Sequence, residues 1–142
     1  MGKPVQEKRF EYKGFPCVVL FMPMGYRCGY VGVSKDNKYF KKDCMDTPIK
    51  CHGGLNYSSN HLYGQEDKDT WWVGFDCGHI YDGFDIKALN KYYPLDIDVQ
   101  FNMKFMLDYY KSVNEYSEIK TIEYVEEECK KIVDQLLNEV EE

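Results

Sequence analysis

The sequence predicts an α+β fold, an antiparallel sheet of about five strands packed by a C-terminal amphipathic helix. Three observations carry that prediction. Residues 9–33 alternate β-branched and aromatic runs with Gly and Pro turn signals. Residues 70–77, Thr-Trp-Trp-Val-Gly-Phe-Asp-Cys, form the strongest strand-like run in the chain. Apolar residues then recur at spacings of three and four over 122–140.

Taken in order, Arg9-Phe10-Glu11-Tyr12 alternates, Lys13-Gly14 turns, 15–22 is a continuous apolar run, Pro23-Met24-Gly25 turns again, and 27–33 completes a three-stranded meander. Gly29 and Gly32 inside the third strand suggest a bulge, a close approach of another backbone or ligand, or plain packing. Residues 38–46 read as irregular or a short helix. Pro48 biases Thr47 towards an extended conformation, and Ile49-Lys50-Cys51 reads as a short strand ending at His52-Gly53-Gly54. Residues 58–69 are polar and read as a surface loop, and 78–98 as a long excursion over the surface. Residues 101–110 are a short helix or a buried strand, because periodicity does not decide between them for apolar positions at 101, 103, 105, 106, 107, 109 and 110. The terminal helix begins at Thr121, placed as an N-cap, and shows one stripe of Ile122, Val125, Cys129, Ile132, Val133, Leu136, Leu137 and Val140. Glu123, Glu126, Glu127 and Glu128 lie in its favourable first turns, whereas Glu139, Glu141 and Glu142 sit at the unfavourable end, where fraying is expected.

With 142 residues and no linker or repeat, the chain reads as a single domain over 1–142, with 84–120 as a candidate insertion. An aromatic content of 16% is too rich for disorder. No apolar run approaches the roughly 18 residues that span a bilayer, and no signal-peptide core follows Met1, so a cytosolic protein with no membrane association is expected. The net charge of −6 argues against a nucleic-acid binder. Residues 121–142, however, hold eight acids and two Lys, so the other 120 residues balance to zero. An anionic small molecule therefore remains allowed elsewhere, while a long nucleic acid still lacks a basic stripe. With no export signal the six cysteines read as thiols, four or five of them buried, and the lack of a CxxC pair argues against a structural zinc knuckle.

All three histidines fall between positions 52 and 79. His52, Asp76, His79 and Asp82 each follow a strand-like run, so paired strands would bring them to one sheet edge. Two imidazoles and two carboxylates suit a divalent metal with positions open to water, as hydrolytic sites require, with His52 and His79 as catalytic candidates. The competing structural reading has Asp76 capping its loop and His79 as a satisfied, half-buried histidine. A second chemistry is ligand binding. Gly53 and Gly54 could turn backbone amides to an oxyanion, Asn56, Tyr57 and Ser58 supply hydrogen-bonding groups, and Trp72 or Trp71 can stack on a base. Those two tryptophans point to opposite faces of a strand, so one belongs to the core. A third option, Cys77 as nucleophile with a histidine base, is disfavoured because a strand exposing Asp76 turns Cys77 inward. The 13 tyrosines are too dispersed to define one patch.

His52-Gly53-Gly54-Leu55-x-Tyr57-Ser58, followed by Trp71-Trp72-x-Gly74-Phe75-Asp76-Cys77-x-His79-x-x-Asp82, resembles a group of small phage and prophage proteins of unassigned function. Residues 21–33 and 123–129 resemble the flanking segments, so the likeness covers 9–83 and 121–137. Asn56 stands where that pattern usually has Thr, and 84–120 is longer than the pattern's join. The resemblance implies a virus-borne accessory protein in the host cytosol and carries no catalytic assignment. Such proteins often act against host defence, by capturing or degrading a nucleotide signal or by occupying a defence protein. The first expectation is therefore a polar pocket for a phosphorylated or nucleotide-like small molecule, with metal-assisted hydrolysis left open. The second is a direct inhibitor that binds a host defence protein through tyrosine-rich and acidic surfaces. A homo-oligomer is compatible with either.

Overall fold

β1 (Val5–Tyr12) and β2 (Phe15–Phe21) are joined by Lys13 and Gly14. Both of those residues have positive φ (50° and 86°), which matches the twist of a two-residue hairpin turn. β2 reads as an unbroken apolar run because both of its faces are covered: Cys17 and Val19 meet one core cluster, Val18 and Leu20 another. β3 (Arg27–Val33), β4 (Tyr57–Ser59) and β5 (Trp71–Asp76) complete a five-stranded antiparallel sheet in the order β1-β2-β3-β5-β4. The computed structural model describes residues 2–141, with side chains described for 2–138. Expectations for Val140, Glu139, Glu141 and Glu142 lie outside the described side chains.

Three helices follow in chain order, α1 (Ile86–Tyr92), α2 (Ile97–Asn114) and α3 (Ile122–Glu141). α3 lays Val125, Cys129, Ile132, Val133 and Leu136 onto Cys17, Val19, Val31, Val33, Val73 and Phe75. Each such side chain contributes about 1.5–3 kcal/mol on burial. Thr121 caps α3 as its position suggested, its Oγ1 accepting from the Tyr124 N–H at 3.2 Å. The glycine at 29 reflects close approach, since a β-carbon there would overlap Phe75 and Val125. The fold is thus α+β, with the C-terminal helix on β1, β2 and β3.

Two local expectations are corrected. Residues 49–51 are not a strand. The backbone of Lys50 instead donates to Gln135 Oε1 at 2.7 Å and accepts from Gln135 Nε2 at 2.6 Å, so a side-chain amide on α3 occupies the place a neighbouring strand would take. Residues 78–98 are not one long excursion, because Asp85 caps α1 (Ala88 N–H to Oδ1, 3.0 Å) and α1 buries Ala88 and Leu89. The ambiguous stretch 101–110 is helical within α2, whose Val99 and Tyr110 pack with Phe21, Leu89 and Tyr93.

Four of the six cysteines, at 17, 28, 77 and 129, are buried, and all six are free thiols. Among the described residues, no helix is long and apolar enough to cross a membrane.

Candidate functional site

The C-terminal end of β5 is closed by two loops and the start of α3. β5 ends at Asp76, and a tight turn (Asp82 N–H to His79 carbonyl, 2.9 Å) brings Asp82 back beneath His79. The segment before His52 runs along α3, held by Gln135 at Lys50 and by Glu128, whose Oε1 accepts the His52 N–H at 2.8 Å. His52, His79 and Asp82 therefore converge at the end of the sheet, and not along an edge strand.

Asp82 is the centre of this cluster and is 1% exposed. His52 Nε2 lies 2.9 Å from both carboxylate oxygens, and His79 Nδ1 lies 2.9 Å from Oδ2, which also accepts the His79 backbone N–H at 3.1 Å. An ionised carboxylate only accepts, so both imidazoles point an N–H at it. His52 is thereby left to accept at Nδ1 from the Tyr124 hydroxyl, 2.8 Å away. The burial of that phenol, followed by the fields of Glu128, Cys77 and Asp82, pushes its pKa up to about 12 and keeps it a donor. Burial alone would raise the Asp82 pKa. The hydrogen bonds from His52 and His79 outweigh it and hold the carboxyl below its ordinary value.

The second nitrogen of His79 lies on the side of the ring that faces Gly53 and Asp76. With Nδ1 on Asp82, Nε2 sits 3.8 Å from Asp76 Oδ1, in a side chain that is 28% exposed. A buried carboxylate that orients an accessible imidazole is the arrangement a general base needs. Tyr81, half exposed, stacks on His79 with ring centroids 5.0 Å apart and 3° between planes.

The same residues also form a metal donor set, because one ligand atom from each of His52, His79 and Asp82 fits within 4.8 Å of the others. Asp82 Oδ1 is buried and carries no aligned hydrogen bond, although Lys120 Nζ lies 3.4 Å from it. An acceptor in that condition, beside two imidazoles, fits a divalent cation. A cation held there would compete with the Lys120 ammonium for Asp82 Oδ1.

The remaining sequence candidates divide. Asn56 and Asp76 belong to the rim, where the Asn56 amide donates to Asp76 Oδ2 and Asp76 Oδ1 accepts the Gly78 N–H at 2.9 Å. Asp76 does cap its loop, as the structural reading held. Gly53 is at the centre, and of the amides beside it the His52 N–H is taken by Glu128 and the Gly54 N–H by the Cys51 carbonyl at 2.9 Å, so neither is offered to an oxyanion. Trp72 is corrected as a stacking residue. It is 1% exposed and packs with Val18, Leu20 and Tyr30, so its ring offers no face to a ligand. Tyr57 packs edge-on against Tyr30, and Ser58 Oγ accepts from the Cys44 N–H at 2.9 Å, so both organise loops away from the cluster. Cys77 is a core thiol whose burial raises its pKa, as the strand alternation indicated.

Sequence reasoning missed Lys120, Tyr81, Tyr124 and Glu128. Glu128 had a readable signal, since it sits between Val125, Cys129 and Ile132 on the buried stripe; it is a buried acceptor and not part of a solvated back.

Gly53 has a specific steric role. Its φ is +69°, and a β-carbon there would overlap the His79 ring. Gly53→Ala is expected to cost about 2 kcal/mol in urea unfolding and to shift the His79 ring signals in NMR spectra. Unchanged His79 signals would show that the ring is not held by this backbone contact.

No family model matches the chain, and neither the curated proteins nor the solved structures compared with it contain a match.

Proposed function

We propose that the protein binds a phosphorylated, nucleotide-like small molecule at the end of β5 and hydrolyses it with the help of a divalent cation held by His52, His79 and Asp82. The observation that supports this reading is the convergence of two imidazoles on one buried carboxylate, with one ligand atom from each within 4.8 Å of the others. When bound, such an ion offsets phosphate charge and activates a water. Asp82 fixes the two rings, and Tyr124 on the far nitrogen of His52 sets that ring's orientation. Tyr81 takes the stacking role first given to Trp72, since its exposed ring lies beside the cluster. Asp76 and Asn56 form the polar rim. The biological setting is that of a phage-borne accessory protein in the host cytosol that removes a nucleotide signal of host defence, as the motif resemblance implies.

Calorimetric titration of chelator-stripped protein with Zn²⁺ and Mn²⁺ tests the cation. Wild type should bind one ion per chain, His79→Ala should weaken binding at least about tenfold, and Lys120→Met should tighten it by removing the competing ammonium. A wild type that binds neither ion would remove the metal from the reading. Incubation with cyclic and ADP-ribose-like nucleotides, with and without chelator, then tests turnover. Product that appears only without chelator supports hydrolysis. Host inhibition that survives His52→Ala with His79→Ala in a folded protein would instead favour a direct protein inhibitor.

A further inference from the structure

α2 is apolar on two opposite sides. Val99 and Tyr110 are buried, with Met103 and Met106 partly buried, in the cluster around Phe21. Ile97, Phe101, Phe105 and Tyr109 face outward, with Phe101 72% and Phe105 80% exposed. Successive members of that outward set are four residues apart, so they cover about 120° of the helix circumference opposite the buried side. Phe101 and Phe105 stack on each other with centroids 6.5 Å apart. Leu95, also exposed, extends the patch at the N-terminal end. Together these side chains present on the order of 700 Å² of apolar surface, above what monomers ordinarily expose and close to one partner's share of a standard interface.

The geometry points to a symmetric dimer in which α2 packs antiparallel against α2 of a second copy of this chain, about a two-fold axis at Phe105. Charge complementarity along the helix supports this occupant. Lys104 and Asp108 are exposed along one border of the stripe, and among the described residues neither makes an ion pair. An antiparallel two-fold keeps residues of one border on the same side of the interface. With the axis at Phe105, Lys104 lies about 1.5 Å to one side of it and Asp108 about 4.5 Å to the other. Lys104 of each copy is then about 3 Å, along the axis, from Asp108 of the other and the same distance from the other Lys104, so two reciprocal opposite-charge pairs are set against one like-charge approach. The same operation places Phe105 on Phe105 and Phe101 on Tyr109. A parallel two-fold would instead turn this border to opposite sides of the interface, so Lys104 and Asp108 would not meet across it.

Sedimentation velocity and light scattering on the full chain test the proposal. Wild type should dimerise in the micromolar range, and Phe105→Glu should be monomeric with an unchanged circular dichroism spectrum. Lys104→Glu and Asp108→Lys should each raise the dimer dissociation constant about tenfold, and the double swap should return it to within about threefold of wild type. A wild type that stays monomeric to millimolar concentration overturns the proposal and assigns the stripe to a different protein. A dimer indifferent to Phe105→Glu overturns the interface, and charge variants that do not rescue each other overturn the register.

Discussion

Arg27→Met should lower the unfolding free energy by about 3–5 kcal/mol, a large part of the roughly 5–15 kcal/mol a domain of this size possesses. Arg27 is 6% exposed and pairs through Nε and Nη2 with both carboxylate oxygens of Glu7, at 2.6 and 3.1 Å. Its Nη1 donates to Asp85 Oδ2 at 2.9 Å and to the Lys120 carbonyl at 3.1 Å. Burial opposes the guanidinium's charge, but Glu7 and Asp85 outweigh that effect and raise its pKa. Methionine fills the volume and restores none of the donors, so the buried Glu7 carboxylate keeps only the Tyr92 hydroxyl as a partner. Asp85 also loses a partner at the cap of α1, and the carbonyl that fixes Lys120 beside Asp82 is released. Urea unfolding followed by circular dichroism reads the loss. The double variant Glu7→Leu with Arg27→Met should recover the part of the loss that comes from the uncompensated Glu7 charge, because a buried pair replaced by apolar side chains is often neutral. A single-variant loss below about 1 kcal/mol would show that the network is not a main support.

What the sequence revealed follows from which interactions leave a periodic trace. The α3 stripe and the continuous run of β2 were legible because burial on one face or two repeats along the chain. Lys50 was misread because the partner that satisfies it is the side chain of Gln135, 85 residues away, and no local pattern encodes that substitution. α2 had no readable period since it is apolar on both sides, which is the fact that later points to a second copy. Of the site, His52, His79, Asp76 and Asp82 were found by residue type and spacing. Lys120 and Tyr124 were not, because they enter from the junction before α3 and its first turn. Trp72 was misassigned because a strand residue's exposure depends on what covers its face, and there Leu62 and Tyr57 do the covering.

Asp82→Asn should cost about 3 kcal/mol at neutral pH in the metal-free protein and abolish cation binding. The carboxylate accepts from His52 Nε2, His79 Nδ1 and the His79 backbone at 2.9–3.1 Å. An amide offers one oxygen, and its NH₂ turns donors towards a ring nitrogen that is itself a donor, so at least one buried N–H is left unsatisfied. The Lys120 ammonium loses its counter-charge at 3.4 Å as well. The pH dependence separates this account from a simple packing defect. Because the folded-state pKa of Asp82 lies below its ordinary value of 3.8, the carboxylate's contribution is complete above the unfolded-state pKa and is lost as pH falls through the folded one. Protonated Asp82 offers the same single acceptor oxygen that Asn would. The stability gap between wild type and Asp82→Asn, measured by urea unfolding in chelator, should therefore be full from about pH 7 to 5 and close below about pH 4. A gap that stays constant across that range would mean the charge of Asp82 does not hold the two histidines, and the proposed hydrolysis would lose the carboxylate it rests on.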